Sequence, residues 1–487
     1  MRAPGKNKRR RRAAPVIAAR LSGHITLETQ ADGTLAACFD GYSVGLGKFS
    51  SGALARAQDL RTGLPLASFG SDGNLVDKEI DLLVHRMAQS GLLEYRLART
   101  GDEKDEVVIE PQLREYWPRP PALGDTDIIV LSRFAYLRRR GNELVLESPR
   151  AGALFRICDP KIAAALALLS TPQPIKKFRR QDGFPGIEIL ALLVDCQILF
   201  RIDAAGDDGL RATEGDDNFV LWDFHDLLFH THSTEGRQAN PLGGVYPYAG
   251  EIAPPPAVRP RWPGKKIDLR KLPAAANVSP LARLLRQRHS TRDFDDNQPI
   301  TLAELARFLD QTARIQSKWK SEVDLGDGDG PVVAYTSRPY PSGGSAYALE
   351  LYLTVTNCEG LARGFYHYDA DRHALVPIAA RAQELDAQLT AAGFAMDAAG
   401  TPQILVTIAA RFDRISWKYS SIAYSLILKD VGVLIQTLYL MATDMGLGGC
   451  AIGTGNIDLF AKMTGIEFHI EGPVGQFALG RGAIDRG

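Results

Sequence analysis

The sequence predicts an α+β protein, and two observations support this fold class. From Pro280 onward, helical and strand patterns alternate along the chain. Before that point, a hairpin, two helices and a strand occur twice, at a separation of roughly one hundred residues, which indicates an internal repeat. Strands and helices interleaved in this way predict sheets that are covered by helices.

The first repeat begins with a hairpin over His24–Ala37, where apolar residues alternate on both sides of an Asp32-Gly33 turn. Two helices follow, near Ala53–Leu60 and over Asp77–Ser90. The repeat closes with a strand at Leu92–Leu97.

The second repeat has the same order of elements. Its hairpin, Phe134–Glu147, turns at Gly141-Asn142. Its helices cover Lys161–Ser170 and Ile187–Cys196, and its closing strand is Ile198–Ile202. The repetition predicts two winged-helix-like modules.

These modules, residues 21–110 and 111–212, are predicted to bind peptide. A winged helix that binds DNA needs a basic second helix, because phosphate contacts supply most of the affinity. The second helices here carry acidic residues such as Asp77 and Glu188, so nucleic acid is not expected. An exposed edge strand beside a helix can instead accept an extended peptide as a further strand.

The segments that flank the modules have distinct compositions. Residues 1–20 form a basic tail that is predicted to be disordered and solvated. Residues 213–279 contain an amphipathic helix at Trp222–His230 and then a Pro- and Gly-rich linker. Residues 280–487 form the alternating helix and strand region.

Composition excludes several classes of function. Lys plus Arg and Asp plus Glu both number 57, so no net charge recruits a membrane or nucleic acid. Ala13–Leu21 is too short and interrupted for a signal-peptide core, which predicts a cytoplasmic protein. The five cysteines are widely spaced without a Cys-x-x-Cys pair, and His225, His230 and His232 lack the i,i+4 spacing of a zinc helix. No metal site is therefore predicted.

The region from Pro280 supplies the remaining elements. Thr301 and Glu304 form the pattern of a capping box that starts a helix. The other predicted elements are helices Leu281–Arg288 and Arg381–Ala392, strands Leu349–Thr356, Gly364–Tyr368 and Gln403–Ala409, and the long helix Ser421–Met445.

The long helix is the element around which a cofactor site is predicted. It has no proline, and its apolar residues indicate burial on most sides, while Lys429 and Asp430 argue against a membrane span. Lys418 and Tyr419, which can transfer protons, stand just before it. A glycine cluster, Gly446–Gly453, follows it and would let backbone approach a ligand closely.

Two short motifs add to this hypothesis. Arg288-x-Ser290-x-Arg292 places two guanidinium groups and a hydroxyl on one side of an extended segment, although such arginines are more often solvated. Pro341-Ser342-Gly343-Gly344 is a turn whose bare backbone can lie against a flat ring, or is an ordinary loop. Gly446-x-Gly448-x-x-Ala451 follows a helix instead of a strand, so it is not a dinucleotide motif.

Together these segments resemble the nitroreductase superfamily of FMN enzymes. Arg288-His-Ser-Thr-Arg-Asp-Phe294 is similar to the first flavin segment of that superfamily. Tyr340–Tyr352, Gly364–Tyr368 and the pair Lys418-Tyr419 resemble the SagB-type azoline dehydrogenases, the branch of microcin and cyanobactin oxidases. The likeness covers residues 280–487, and the repeated modules fit the longer members.

The resemblance implies a site for FMN in a homodimer, with the cofactor at the interface. Lys418 and Tyr419 would flank the substrate, and Arg481 is a weaker phosphate candidate. Ser425 stands where this branch is expected to have an arginine. The residues expected to bind FMN are Arg288, His289, Ser290, Arg292, Pro341, Ser342, Gly343, Gly344, Gly453, Thr454 and Arg481.

The activity that the resemblance implies is oxidation of thiazoline or oxazoline rings in a ribosomal precursor peptide to thiazoles or oxazoles. A hydride would pass to FMN and a proton to Lys418 or Tyr419, with oxygen as the terminal acceptor. The peptide's leader would bind the winged-helix-like modules, and a cyclodehydratase is an expected partner. The alternatives are an NAD(P)H-dependent nitroreductase or flavin reductase, and a non-catalytic scaffold that binds the leader.

Overall fold

The computed structural model describes residues 15–39, 42–68, 74–99, 104–113, 116–180, 186–202, 217–237, 246, 248–272, 278–324, 326, 330–398 and 400–483. Most of the predicted basic tail, residues 1–14, lies outside the described residues. The chain divides into two compact units, Met1–Leu228 and Phe229–Gly487.

The first unit contains thirteen described strands and five described helices. The strands are β1 (Pro15–Leu21), β2 (Thr26–Thr29), β3 (Leu35–Phe39), β4 (Tyr42–Gly47), β5 (Leu64–Pro65), β6 (Leu93–Arg99), β7 (Val107–Pro111), β8 (Ile128–Leu131), β9 (Tyr136–Arg140), β10 (Glu143–Glu147), β11 (Ala153–Ile157), β12 (Gln173–Pro174) and β13 (Leu199–Ile202). The helices are α1 (Ser51–Ala57), α2 (Leu75–Gln89), α3 (Pro160–Ala167), α4 (Ile187–Asp195) and α5 (Asp217–Leu221).

The order of elements and the strand pairing both repeat within this unit. In each repeat the first strand lies between a short strand and the closing strand, in the orders β5-β1-β6 and β12-β8-β13, and all of these pairs are antiparallel. The predicted hairpins form at β2-β3 and β9-β10. Strand β7 pairs with both β6 and β11, so one seven-stranded sheet, β5-β1-β6-β7-β11-β10-β9, contains strands of both repeats.

Helix α2 shows why the local sequence folds as it does. Asn74 and Asp77 form a capping box, which satisfies backbone N–H groups that the first helical turn leaves free. Ile80, Leu83 and Met87 are buried at helical spacing. They join a core that draws residues from both repeats, so the two repeats fold around common apolar side chains.

The second unit holds the remaining elements. Its helices are α6 (Phe224–Ser233), which crosses the division between the units, α7 (Pro280–Gln287), α8 (Leu302–Ala313), α9 (Ala382–Met396), α10 (Phe412–Ser416), α11 (Ala423–Asp444) and α12 (Ile457–Thr464). Its strands are β14 (Ile300–Thr301), β15 (Ser317–Glu322), β16 (Val332–Ser337), β17 (Leu349–Val355), β18 (Cys358–Glu359), β19 (Gly364–Asp369), β20 (Ala374–Ile378), β21 (Ile404–Arg411), β22 (Gly448–Ile452) and β23 (Glu471–Gly480).

A six-stranded sheet in the order β20-β19-β17-β21-β23-β22 forms the centre of this unit. Every neighbouring pair in the sheet is antiparallel. Helix α11 packs on it, and the rings of Tyr439 and Phe477 meet edge to face with centroids 5.0 Å apart. The predicted α+β class is therefore confirmed. The elements of this unit that were not predicted are β14, β15, β16, β18, β20, β22, β23, α10 and α12.

Helix α11 is the long helix that the sequence predicts, but it is not buried on most sides. Leu434 and Leu438 are fully buried on one face, whereas Ile422, just before the helix, and Val433 are 50% and 38% exposed. By length and composition α11 could also cross a membrane, a property that core helices of soluble proteins share. Its packing on the sheet makes it the core helix of this unit.

Candidate active site

The predicted arginine segment leaves α7 and runs beside β22. Ser279 caps the start of α7, Pro280 occupies its first turn, and the helix ends at Arg288. Beyond it, the Thr291 N–H donates to the Gly449 carbonyl over 2.8 Å. A Cβ at Gly448 would lie 2.6 Å from the Thr291 side chain, so glycine permits this close approach.

Tyr439 of α11 organises the arginine segment. Its hydroxyl lies 2.8 Å from Ser290 Oγ and accepts the Ala451 N–H over 2.8 Å. The Arg288 guanidinium lies 5.0 Å from the centroid of the Tyr439 ring. Arg292 is exposed, and within the described residues no carboxylate pairs with Arg288 or Arg292. We call these five residues the arginine end of the site; its two cations are open to an anion.

Arg481, the weaker phosphate candidate, is already paired. Its Nη2 donates to both carboxylate oxygens of Glu304, over 2.8 and 2.9 Å. Burial raises the pKa of Glu304, but hydrogen bonds from Arg481 and Thr301 outweigh it and hold the pKa below its usual value. Arg481 therefore joins β23 to the capping box of α8 instead of standing with Arg288 and Arg292.

The Pro-Ser-Gly-Gly turn is held by a buried carboxylate of α11. Ser342 Oγ donates to Asp430 Oδ2 over 2.6 Å, and the Gly343 N–H donates to Oδ1 over 3.1 Å. Ser342 Oγ in turn accepts the Tyr347 N–H over 3.0 Å. Since Asp430 is buried, these bonds fix the turn against the start of α11. Pro341, ahead of them, is exposed.

Lys418 and Tyr419 meet this turn at Gly344. Lys418 Nζ donates to the Gly344 carbonyl over 3.0 Å. Gly344 has φ of +57°, and a Cβ there would lie 2.8 Å from Lys418 Nζ and clash with the Tyr419 hydroxyl. Lys418 is exposed and Tyr419 half-buried. The structure thus brings together the turn and the predicted proton-transfer pair; with Asp430 we call them the lysine end.

Gly453 and Thr454 lie at the end of β22. Gly453 faces open space. Thr454 Oγ1 is buried and has no hydrogen-bond partner within the described part of the chain. A buried hydroxyl without a partner is costly, so this atom is suited to a ligand that supplies one.

Gly446 and Gly449 of the predicted cluster have structural roles of their own. Gly446 has φ of +68° and ends α11, where the Leu447 N–H donates to the Ala442 carbonyl. A Cβ at Gly449 would clash with the Phe477 ring. Gly446 and Gly453 both face open space, but only Gly453 lies beside the hydroxyl of Thr454, which is unpaired among the described residues.

The two ends occupy different sides of α11. Asp430 and Tyr439 are nine positions apart in the sequence, which corresponds to about 14 Å along the helix and a half-turn around it. Both side chains are buried, at opposite flanks of the face that packs on the sheet. One chain therefore does not turn both ends toward a single point.

Sequence reasoning missed Asp430 and Tyr439 as site residues. Asp430 had a signal, because an acidic residue in an apolar helix needs a buried hydrogen-bond donor. Ser425 lies exposed and accepts a hydrogen bond from Lys429 Nζ over 3.1 Å, so a cation from the next turn lies beside it. His289 is also exposed, with Nδ1 3.0 Å from the Gln287 carbonyl.

Two protein families match separate parts of the chain. Residues 285–481, which contain both ends of the site, match the Nitroreductase family. Residues 129–239 match the family described as Cyanobactin oxidase ThcOx.

Individual relatives agree with these matches. A protein of Methanocaldococcus jannaschii that is named as a nitroreductase is 29% identical over 173 residues, which are 36% of this chain and 78% of the relative. The microcin B17-processing protein McbC of Escherichia coli is 32% identical over 115 residues, 23% of this chain and 42% of the relative. The chain thus aligns with less than half of the second protein.

A solved structure is also similar. It is a chain of the E. coli microcin synthetase McbBCD complex with truncated pro-MccB17 bound, at a TM-score of 0.36 and 21% identity. The match covers 58% of this chain and 100% of that chain.

Proposed function

We propose that this chain, whose residues 285–481 belong to the nitroreductase family, is an FMN-dependent dehydrogenase that oxidises thiazoline or oxazoline rings of a ribosomal peptide. The observation that carries the proposal is the meeting of Lys418 and Tyr419 with Gly344 in the Pro-Ser-Gly-Gly turn. The match of residues 129–239 to a cyanobactin oxidase and the similarity to a microcin-processing protein support a peptide substrate.

The residues of the site fit FMN. The phosphate is an anion, and Arg288 and Arg292 offer guanidinium groups that no described carboxylate occupies. Thr454 offers a buried hydroxyl without a protein partner, beside the open space at Gly453. Bound FMN would supply hydride acceptance and transfer of electrons to oxygen.

Lys418 and Tyr419 are proposed to move the proton. Each azoline ring that becomes an azole loses two hydrogens, one as a hydride and one as a proton. Because Lys418 Nζ is held by the Gly344 carbonyl, its position relative to the turn is fixed. In its neutral form the Lys418 amine can take the ring proton, and the resulting ammonium can return that proton to water, with the Tyr419 hydroxyl as the neighbouring group.

A homodimer is proposed to complete the site. The arginine end and the lysine end lie at opposite flanks of α11, so a cofactor that contacts both requires a second copy. Exposed apolar side chains support such an interface: Ile422 and Val433 at α11, and Leu281 and Leu285 on one face of α7. Covering them with the same face of a second chain would remove them from water.

The unit Met1–Leu228 is proposed to bind the leader part of the precursor peptide. Its seven-stranded sheet ends at the exposed strand β9, which can accept an extended peptide. Azolines form by cyclodehydration of Cys, Ser or Thr, so a cyclodehydratase must act before this enzyme. We place the reaction in the cytoplasm, where ribosomal peptides are made.

Incubation of the FMN-loaded chain with an azoline-bearing peptide in air tests the proposal. We expect mass spectrometry to show the loss of two hydrogens per ring. A purified chain that reduces nitroarenes with NADPH but leaves the azolines unchanged would instead be a nitroreductase. A chain that binds the peptide but cannot be loaded with FMN would be a scaffold.

A further inference from the structure

The hairpin formed by β15 and β16 has no role in the function proposed above. Among the described strands, these two pair only with each other and lie outside the six-stranded sheet. Trp319 and Tyr335 are directly opposite each other on the two strands. Their rings stack with centroids 5.6 Å apart and planes 16° from parallel, and Trp319 remains 42% exposed.

Two contacts place this aromatic pair beside the lysine end. Arg414 of α10 donates to the Ala334 carbonyl of β16 and, through Nε, to the Ala346 carbonyl over 3.0 Å. The same guanidinium thus ties the hairpin to the segment just after Gly344. Lys418 Nζ lies 5.4 Å from the centroid of the Tyr335 ring.

The opposite face of the hairpin contacts the turn between β19 and β20. Alternate residues of a strand point to opposite faces, so Lys318 and Trp319 face apart. Lys318 forms an ion pair with Asp371, in the turn between β19 and β20. The Lys318 face therefore contacts the rest of the second unit, and the aromatic face is the one that lies near Lys418.

We propose that Trp319 and Tyr335 form a wall on which the five-membered ring of the peptide substrate stacks while Lys418 takes its proton. This inference rests on the proposed dehydrogenase function. Flat conjugated rings gain from stacking on aromatic side chains, and the gain is about 0.5–1.5 kcal/mol per pair beyond burial. The exposed Trp319 ring, held by the nearly parallel Tyr335 ring stacked on it, offers such a surface without rearrangement.

Stacking of this kind would favour the reaction and not only binding. The azoline ring contains tetrahedral carbons that become planar during oxidation. The fit of the ring to a flat wall therefore improves toward the transition state, and interactions that strengthen there raise the rate. The wall should consequently bind the azole product more tightly than the azoline substrate.

The rival explanation is that the aromatic pair only stabilises the hairpin, as cross-strand pairs commonly do. Two substitutions separate the explanations. Trp319→Phe keeps a flat ring, whereas Trp319→Val removes it but keeps a residue that favours strands. Phe394→Ala is the matched control, since it removes an 83% exposed aromatic ring from α9, away from the hairpin.

The experiment has two measurements. The first is the rate of azoline oxidation. The second compares the Kd of the FMN-loaded protein for an azole-bearing peptide with its Kd for the same peptide without the ring. For Trp319→Val we expect a loss of about tenfold in kcat/KM and in azole affinity, with unchanged FMN content, while Trp319→Phe keeps most of both. The ring-free peptide should bind all variants equally.

Equal behaviour of Trp319→Val and the native protein in both measurements would overturn the proposal. An equal loss with the ring-free peptide would also overturn it, because the defect would then be in the hairpin. If the native protein oxidises no azoline, the dehydrogenase proposal fails. The affinity measurement still decides whether the wall binds the ring.

Discussion

The lysine end and the arginine end of the site are held to α11 by different means. At the lysine end, the buried carboxylate of Asp430 accepts hydrogen bonds from Ser342 and Gly343. At the arginine end, the neutral hydroxyl of Tyr439 links Ser290 to Ala451. A charged acceptor fixes backbone more strongly than a neutral hydroxyl does.

The difference corresponds to the role proposed for each end. The proposed proton transfer depends on the position of Lys418 relative to the reacting ring, so the turn that holds its amine gains from a strong internal clamp. An anion site needs positive charge that is not neutralised by the protein, and Arg288 and Arg292 have no described carboxylate partner. Arg481, which does have one, illustrates the contrast.

The largest effect is expected at the lysine end, in Lys418→Ala. Removal of a proton-transfer group typically costs about two to four orders of magnitude in rate, and we expect that loss in azoline turnover. FMN content should stay unchanged, because the cations of the arginine end are intact. Single-turnover kinetics and flavin absorbance measure the two quantities.

Lys462→Ala is the control for this experiment, since it removes an exposed lysine from α12. It should leave turnover unchanged. Native turnover in Lys418→Ala would remove the assigned role, and loss of FMN from it would mean that the two ends are not separate.

The next effect is expected from Asp430→Ala, which removes the clamp. Hydrogen bonds to charged groups contribute about 1.5–3 kcal/mol each, and the loss leaves two donors unpaired while relieving the cost of a buried charge. We expect the free energy of unfolding to fall by about 2–3 kcal/mol. Asp430→Asn keeps one acceptor oxygen, so its free energy of unfolding should fall by about half as much. Urea unfolding of the three proteins provides the comparison.

The sequence predicted the features of the site that depend on residues close together in the chain. The capping box at Thr301 and Glu304, the end of α7 at Arg288 and the helix α11 all follow from local patterns. The resemblance to a family assigned the Pro-Ser-Gly-Gly turn to FMN and Lys418-Tyr419 to the substrate, but it did not predict that the two segments meet.

What the sequence did not predict depends on residues that are distant in the chain. Arg481 meets Glu304 across 177 positions, and Ser342 meets Asp430 across 88. Gly448 is needed because Thr291 packs against it, which no local pattern at Gly448 reveals. The burial of α11 on one face is an exception, because Ser425, Lys429 and Gln436 recur at helical spacing along its exposed side and mark that side locally.

The smallest effect is expected at the arginine end, in Tyr439→Phe. The change removes one hydroxyl and keeps the ring that packs on Phe477. It leaves the Ala451 N–H and Ser290 Oγ without this partner, and neutral hydrogen bonds contribute about 0.5–1.5 kcal/mol net. We therefore expect the free energy of unfolding to fall by about 1 kcal/mol, less than for Asp430→Ala.

FMN should also bind more weakly to Tyr439→Phe, because Ser290 is no longer held in place, while single turnover of the loaded enzyme stays near the native rate. Titration with FMN and urea unfolding measure these changes. A larger loss of stability in Tyr439→Phe than in Asp430→Ala would reverse the contrast between the two ends, since the neutral hydroxyl would then be the stronger clamp.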